Sequence, residues 1–280
     1  MPPEAPVEAL GLIAGKGAYP LELAESARAQ GVKRLFAVAF KHETDKAINR
    51  LCDEVRWMYV GQLAAFVEAF RGSGVRAAVM AGQITPSHLF SLRLDAPMRA
   101  LLAALPRRNA DTIFGAIGDE LRKVGVELRP ASLFMESRMP GPGVLTARAP
   151  TPDERADLDF GFRLAKVSSE HHIGQTVVVR RGTVMAVEAF EGTDAAIRRA
   201  GKLAGKGCVV VKVAMPGHDM RWDIPVVGLR TLESLRKAGA TCLGVEAHRA
   251  ILLQRSEVVA EADRRGIAIE VLASQSLPTA

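Results

Sequence analysis

Aromatic residues are scarce in this chain, 5% of 280, and no dense run of lysine and arginine occurs. The net charge of +6 favours anionic partners. Without a finger, recognition-helix or ribonucleoprotein motif, however, nucleic acid is not the expected one. Phosphorylated metabolites and an anionic membrane surface remain. Cysteine is scarcer still. Cys52, Cys208 and Cys242 are far apart and odd in number, which argues against a disulfide framework or a four-cysteine zinc site and suits a reducing cytosol. No apolar run approaches the ~18 residues of a bilayer span, since Leu35–Phe40 is broken at once by Lys41. Met1-Pro2-Pro3-Glu4-Ala5-Pro6 lacks the basic and apolar regions of a signal peptide, so a cytoplasmic protein is expected.

What the chain does have is enough apolar residue, 48%, to close a core, over a length that suits two domains. The first half alternates apolar runs (Val7 to Ala14, Leu35 to Phe40, Val55 to Val60, Ala77 to Ala81) with helical stretches, Leu21 to Gln30 and Leu63 to Phe70. Ile113, Phe114, Ile117, Leu121 and Val124 recur at helical spacing up to Gly125. That alternation predicts a parallel sheet covered on both faces. Met139-Pro140-Gly141-Pro142-Gly143 and Pro150-Thr151-Pro152 read as a segment that neither helix nor sheet absorbs. The expected architecture is therefore α/β throughout. A Rossmann-like nucleotide- or phosphate-binding domain occupies 1–138 and a linker 139–152; a second α/β domain with a mixed sheet, carrying the acidic catalytic cluster, follows over 153–280. In the second domain, Asp153 to Ser169 and Asp194 to Ala200 read as helices, and Arg181-Gly182 as the turn of a hairpin. Val209 to Val213, Val226-Val227 and Cys242 to Val245 are strand candidates.

Gly15-Lys16-Gly17 lies between the first strand and the first helix, where doubly wound proteins hold phosphate. The third glycine of a dinucleotide fingerprint is replaced by Pro20. In place of an acid, Lys41 and His42 follow the second strand, which argues against a nicotinamide cofactor and an oxidoreductase. Gln83 and Thr85 follow the fourth strand and are candidates for the same ligand, by the rule that ligands bind at the carboxyl ends of parallel strands.

Two acidic stretches carry the chemistry. In Glu188-Ala189-Phe190-Glu191-Gly192-Thr193-Asp194, Thr193 is placed to cap a helix and Asp194 falls in its first turn. Two glutamates near an apolar strand are costly unless paired, hydrogen-bonded or bound to metal. In the second stretch, Lys212 to Pro225, an extended backbone would set Asp219, Arg221 and Asp223 on one face, as an ion-pair ladder or as a site for a hard cation beside a phosphate-binding arginine. His171 and His172 are adjacent and cannot both enter one regular site; His218 sits beside Asp219. No histidine pair has the helical spacing of a zinc protease.

These stretches resemble the LpxI-type UDP-2,3-diacylglucosamine pyrophosphatases of lipid A synthesis. The resemblance rests on Gly11 to Pro20, Ile173 to Val179, Glu188 to Arg199, and Lys212 to Gly228 with its Asp219-x-Arg221-x-Asp223-x-Pro225 spacing. It departs at His172, where the family commonly has aspartate, and at His218, where it has glutamine, so neither histidine takes a role from the family. The resemblance implies Mg²⁺-dependent attack of water on a UDP-linked diacylated sugar, giving UMP and 2,3-diacylglucosamine 1-phosphate. It also implies a homodimer in a Gram-negative cytosol, peripheral at the cytoplasmic face of the inner membrane. Asp223 is then the first choice as metal ligand or as the group orienting water, with Asp219, Asp194 and Glu191 completing the acidic shell and Asp219 and Asp194 as further metal ligands. Arg221 and Lys212 would offset phosphate charge. Gly15, Gly17, Gln83, Thr85, Gln175, Thr193 and Glu188 would contact substrate. A non-catalytic nucleotide sensor is the alternative that keeps the same crevice without chemistry. For the acyl chains, Phe90, Leu92, Leu94 and Met98 are candidates against a stronger reading as core.

Overall fold

The computed structural model describes residues 7–84, 94–217, 219–222 and 224–274. The chain divides into two compact units, Met1–Met135 with Asp219–Trp222, and Glu136–His218 with Asp223–Ala280.

The first unit is built on a five-stranded sheet in the order β3-β2-β1-β4-β5. The strands are β1 (Ala9–Ala14), β2 (Arg34–Phe40), β3 (Glu54–Met58), β4 (Ala77–Ala81) and β5 (Glu127–Leu128). All are parallel. Central strands of such a sheet are covered on both faces and read as unbroken apolar runs; Leu35 to Phe40 of β2 is buried without interruption. The crossover helices Tyr19–Ala29 and Leu63–Ser73 bring Leu23, Phe66 and Phe70 into the core. Phe70 meets Phe36 edge-on at 5.4 Å and Phe66 at 5.1 Å. A helix at Ala96–Ala104, not anticipated from the sequence, buries Met98, which is core in this structure. Leu94 packs partly buried beside it, while Phe90 and Leu92 lie outside the described residues. Helix Ala110–Lys123 leads into β5.

The second unit carries a six-stranded mixed sheet, order β6-β13-β11-β9-β7-β8. Its strands are β6 (Gly143–Val144), β7 (Thr176–Arg180), β8 (Thr183–Val187), β9 (Cys208–Lys212), β11 (Ala240–Glu246) and β13 (Ala268–Leu272). β9, β11 and β13 run parallel, whereas β7 is antiparallel to both β8 and β9. A separate parallel pair joins β10 (Val226–Val227) to β12 (Ile251–Leu252). Helix Pro152–Glu170 packs Leu158, Phe162 and Ala165 on Val177, Val179, Val209 and Val211. Helices Thr193–Ala204, Leu229–Ala238 and Arg255–Arg264 supply Ile197, Leu232, Leu235 and Val258 to a second core cluster.

The proline- and glycine-rich segment is not merely a connection. Gly143 and Val144 add an antiparallel edge strand to β13. Two residues are enough here, because an edge strand needs partners on one side only. Just beyond, the Arg148 fork grips both oxygens of Glu154 at 2.7 and 3.0 Å. Thr151 and Glu154 close a reciprocal cap on helix Pro152–Glu170. Burial would raise the Glu154 carboxyl, but Arg148, Thr241 and the Thr151 N–H outweigh it and bring it down to about 2. All three cysteines are buried and free. Burial pushes the Cys52 thiol up to about 11 and that of Cys242 up to about 12, and raises Cys208. No helix among the described residues is long and apolar enough to cross a membrane.

Candidate active site

The register of the second sheet gathers three of the sequence candidates. Because β7 runs antiparallel to β9, Thr176 at its start lies opposite Lys212 at the end of β9. The hairpin from β7 returns along β8, and past its last residue the Glu188 N–H donates to the Thr176 carbonyl at 2.8 Å. Glu188, Lys212 and Thr193 at the start of its helix therefore share one edge. The Thr193 hydroxyl donates to Glu188 Oε1 at 2.8 Å and accepts from Lys212 Nζ at 3.2 Å. Thr176 Oγ1 lies 3.4 Å from Thr193 Oγ1. The other carboxylate oxygen, Glu188 Oε2, is buried with no hydrogen-bond partner among the described residues. An acceptor left in that state carries a desolvation cost that a ligand able to donate or coordinate would relieve.

Thr193 does not cap its helix. Gly192, at φ 81°, takes the cap position and makes no side-chain bond, which turns the Thr193 hydroxyl toward the Glu188–Lys212 line. Gly174 fixes this corner from the other side, since a Cβ there would stand 2.1 Å from the Glu188 carbonyl oxygen. The carbonyl of its neighbour Gln175 accepts from the Val213 N–H at 3.0 Å, tying the β7 approach to the β9 exit.

Three further candidate acids, Glu191, Asp194 and Asp219, have cationic partners. Glu191 is exposed and takes Arg199 at 2.6 Å, which lowers its carboxyl below the usual range. Asp194 is held by Arg230 at 3.0 Å and by Ser234 at 2.8 Å. Asp219 and Arg221 belong to the first unit and form a forked pair, closest approach 2.6 Å. Residues 219–222 are not extended. The Trp222 N–H closes a turn on the Asp219 carbonyl at 3.3 Å, so Arg221 lies 4.4 Å over the Trp222 ring instead of projecting opposite to it. The Met220 carbonyl and the Trp222 indole bind this turn to Ala131 and Asp111. Asp223, His218 and Thr85 lie outside the described residues. His171 and His172 are exposed, at and just past the end of helix Pro152–Glu170.

At the glycine turn, Lys16 and Gln83 form a two-way backbone bridge at 2.8 and 3.1 Å, and the Gly15 N–H donates to Ala81. Gly15 and Gly82 are required by that close approach, each leaving no space for a Cβ. Those donors are thereby spent, so a phosphate cradle here would begin at Gly17, whose φ of 100° opens onto free space.

With this geometry in place, the family comparisons bear on it directly. The profile of the LpxI N-terminal domain matches residues 9–138 and that of the LpxI C-terminal domain residues 141–270. The chain belongs to the LpxI family. A curated relative from Caulobacter vibrioides, named UDP-2,3-diacylglucosamine pyrophosphatase LpxI, is 31% identical, with 96% of this chain and 99% of the relative covered. Among solved structures, the biotin carboxylase domain of Hydrogenobacter thermophilus 2-oxoglutarate carboxylase aligns with 70% of this chain. It does so at 11% identity and a TM-score of 0.28, over 41% of its own length, and that likeness carries no argument.

One feature of this LpxI-family chain escaped the sequence reading. Lys166, inside a helix, reaches both oxygens of Glu246 at 3.0 Å and the Ala214 carbonyl at 2.7 Å. Glu246 also accepts from the Ala214 N–H at 2.9 Å and from Ser274 at 3.0 Å. Lys166 and Glu246 are buried, and together they pin the chain two residues past Lys212, where the second acidic stretch begins. The visible signal was a glutamate closing the otherwise apolar run Cys242 to Val245.

Proposed function

We propose that this LpxI-family enzyme hydrolyses the pyrophosphate of UDP-2,3-diacylglucosamine in lipid A synthesis, releasing UMP and 2,3-diacylglucosamine 1-phosphate. Water attacks one phosphorus, the bridging P–O bond breaks, and the proton of the water leaves to an acceptor. The observation that supports this reading is the Lys212–Thr193–Glu188 line, ending in a buried carboxylate oxygen without a partner among the described residues. Lys212 offsets charge on the departing phosphate, the largest contribution in reactions of this type. Thr193 holds Lys212 and Glu188 in register, and Glu188 Oε2 accepts from the donor that the substrate complex brings. Asp219, Arg221 and Asp223 are the residues we assign from the second acidic stretch, Arg221 to phosphate and Asp223 to the orientation of water. Glu191 and Gln175 keep supporting roles, as do Gly17 and Gln83 toward phosphate.

Mg²⁺ dependence belongs to the same proposal. No group of three histidine, cysteine or acidic side chains among the described residues makes a metal cage. Mg²⁺ does not demand one, being held commonly by one or two carboxylates plus substrate phosphates. We assign Glu188 Oε2 and Asp223 to that need; Asp194 and Asp219 would first have to exchange their arginines. Bound there, the ion would neutralise phosphate charge. The +6 net charge supports a peripheral place at an anionic membrane face, and we retain a homodimer as part of the reading.

The test is UMP release from UDP-2,3-diacylglucosamine by the purified protein, with chelator and with Mg²⁺ restored. Release that stops with chelator and returns with Mg²⁺ is expected. Asp223→Ala should bind substrate yet fall below about a tenth of the wild-type rate, a barrier increase of at least ~1.4 kcal/mol. Wild-type protein that binds the substrate without releasing UMP under any metal condition would favour the sensor instead.

A further inference from the structure

At the carboxyl edge of the first sheet, three side chains that the proposed chemistry does not use are held together with unusual care. β2 ends at Phe40 and turns sharply. The Glu43 and Thr44 N–H groups both donate to the Phe40 carbonyl, at 3.1 and 2.9 Å. The Thr44 hydroxyl accepts from the Phe40 N–H at 2.8 Å and donates to the carbonyl of Ala14, the last residue of β1. Lys41 donates its N–H to Met58, the last residue of β3, at 2.9 Å. This lattice holds His42 at φ 71°, a left-handed conformation that residues other than glycine adopt only when their surroundings impose it. The exit of β3 is locked as well, by the Tyr59 N–H donating to Gln62 Oε1 at 2.8 Å.

The result is a presented surface. Tyr59 is 47% exposed. Lys41 Nζ stands 4.7 Å from its ring centroid, and the His42 ring lies 6.1 Å away, tilted by 31°. A lone exposed aromatic is ordinary. A half-exposed aromatic ring with a second ring beside it and a cation over it is chemistry suited to a flat, negatively charged ligand. The position borders the ligand crevice of an open sheet, which lies at the carboxyl ends of the strands where the order reverses, here between β1 and β4, with the end of β2 next to β1 on that same edge. The end of the second strand, where an acid would hold a ribose in dinucleotide enzymes, carries two groups that favour phosphate instead.

We propose that Lys41, His42 and Tyr59 seat the nucleoside end of the substrate, a uridine nucleotide whose pyrimidine stacks on Tyr59 while Lys41 meets its phosphate. This assignment rests on the UDP-sugar reading above and adds the place where the nucleotide is recognised. None of the three is a catalytic residue; their contribution is to binding.

The experiment is calorimetric titration of UMP into the full-length wild type and the Tyr59→Ala, Tyr59→Phe and Lys41→Met variants, followed by steady-state turnover of UDP-2,3-diacylglucosamine. Base-on-aromatic stacking lost to alanine should weaken UMP by about tenfold or more, while Tyr59→Phe stays within about threefold. Lys41→Met should weaken UMP by about three- to tenfold, less at high salt. In turnover the loss should appear in KM, with kcat nearly unchanged. If Tyr59→Ala is poorly folded, Tyr59→Leu, which keeps apolar bulk without a ring, carries the same expectation. If wild type binds and releases UMP but the Tyr59 variants bind it equally well, or lose only kcat, the seat is elsewhere and this inference fails alone. If wild type neither binds UMP nor releases it from the UDP-sugar, the functional reading fails and takes the seat with it.

Discussion

The first sheet is parallel throughout, and although Glu43 turns inward, the ends of β2 and β3 meet solvent with Lys41 and His42 after β2 and the half-exposed Tyr59 after β3. The second sheet is mixed, and its strand ends carry charge inward, with Glu246 closing β11 in full burial against Lys166 and Glu188 Oε2 buried past β8. The two solutions differ in what keeps them rigid. Exposed side chains gain little from each other, since water competes for every contact, so the first sheet fixes the backbone that bears them. Buried charges fix one another, because an unpaired partner in the interior is far costlier than an unpaired one outside. Precise presentation of polar groups thus has two routes, one shown by Lys41, His42 and Tyr59 in the first unit and the other by Glu246 and Lys166 in the second.

The sharpest way to break the contrast is to remove one member of the buried pair. Glu246→Ala leaves the Lys166 ammonium without a counter-charge and is expected to cost about 3–5 kcal/mol in denaturant unfolding. The double variant Lys166→Met with Glu246→Met should recover a large part of that loss. A double variant no more stable than Glu246→Ala would show that the pair is not what holds this region. On the first sheet, Thr44→Val keeps the shape but leaves the Phe40 N–H and Ala14 carbonyl without their shared partner. About 1–3 kcal/mol is expected there, with no effect from nearby charge reversals. Equal losses at both places would erase the distinction between the two routes.

The smallest effect concerns acid. Glu154 has its carboxyl lowered to about 2, so the stability it contributes is complete above its ordinary value near 4.5 and disappears as pH falls toward 2. Unfolding curves of wild type and Glu154→Gln should therefore converge across that interval as pH drops. Parallel curves would place the acid sensitivity elsewhere.

How much of this was legible in the sequence follows from where information is local. β1, β2 and β4 could be read because burial on both faces leaves nearly pure apolar runs, and the hairpin because Arg181-Gly182 both adopt positive φ. The helices Leu229–Ala238 and Arg255–Arg264 escaped notice because their charged faces dominate the composition, and β13 because Glu270 interrupts it. At the candidate site, Glu188, Thr193 and Lys212 each stood out singly. Their hydrogen-bonded line did not, because it depends on the antiparallel pairing of β7 with β9, a long-range choice that no local pattern encodes. The turn at residues 219–222 was hidden for a related reason: contacts with Ala131 and Asp111, some 90 or more positions earlier, override the extended bias.

The three sequestered thiols give the molecule a built-in opening gauge. Cys52 lies in the first unit, Cys208 and Cys242 in the second, each shielded and held in its unreactive protonated form. An alkylating reagent added under native conditions would therefore mark a unit only when it breathes. Mass spectrometry of the tryptic peptides would then time the two units separately within a single sample.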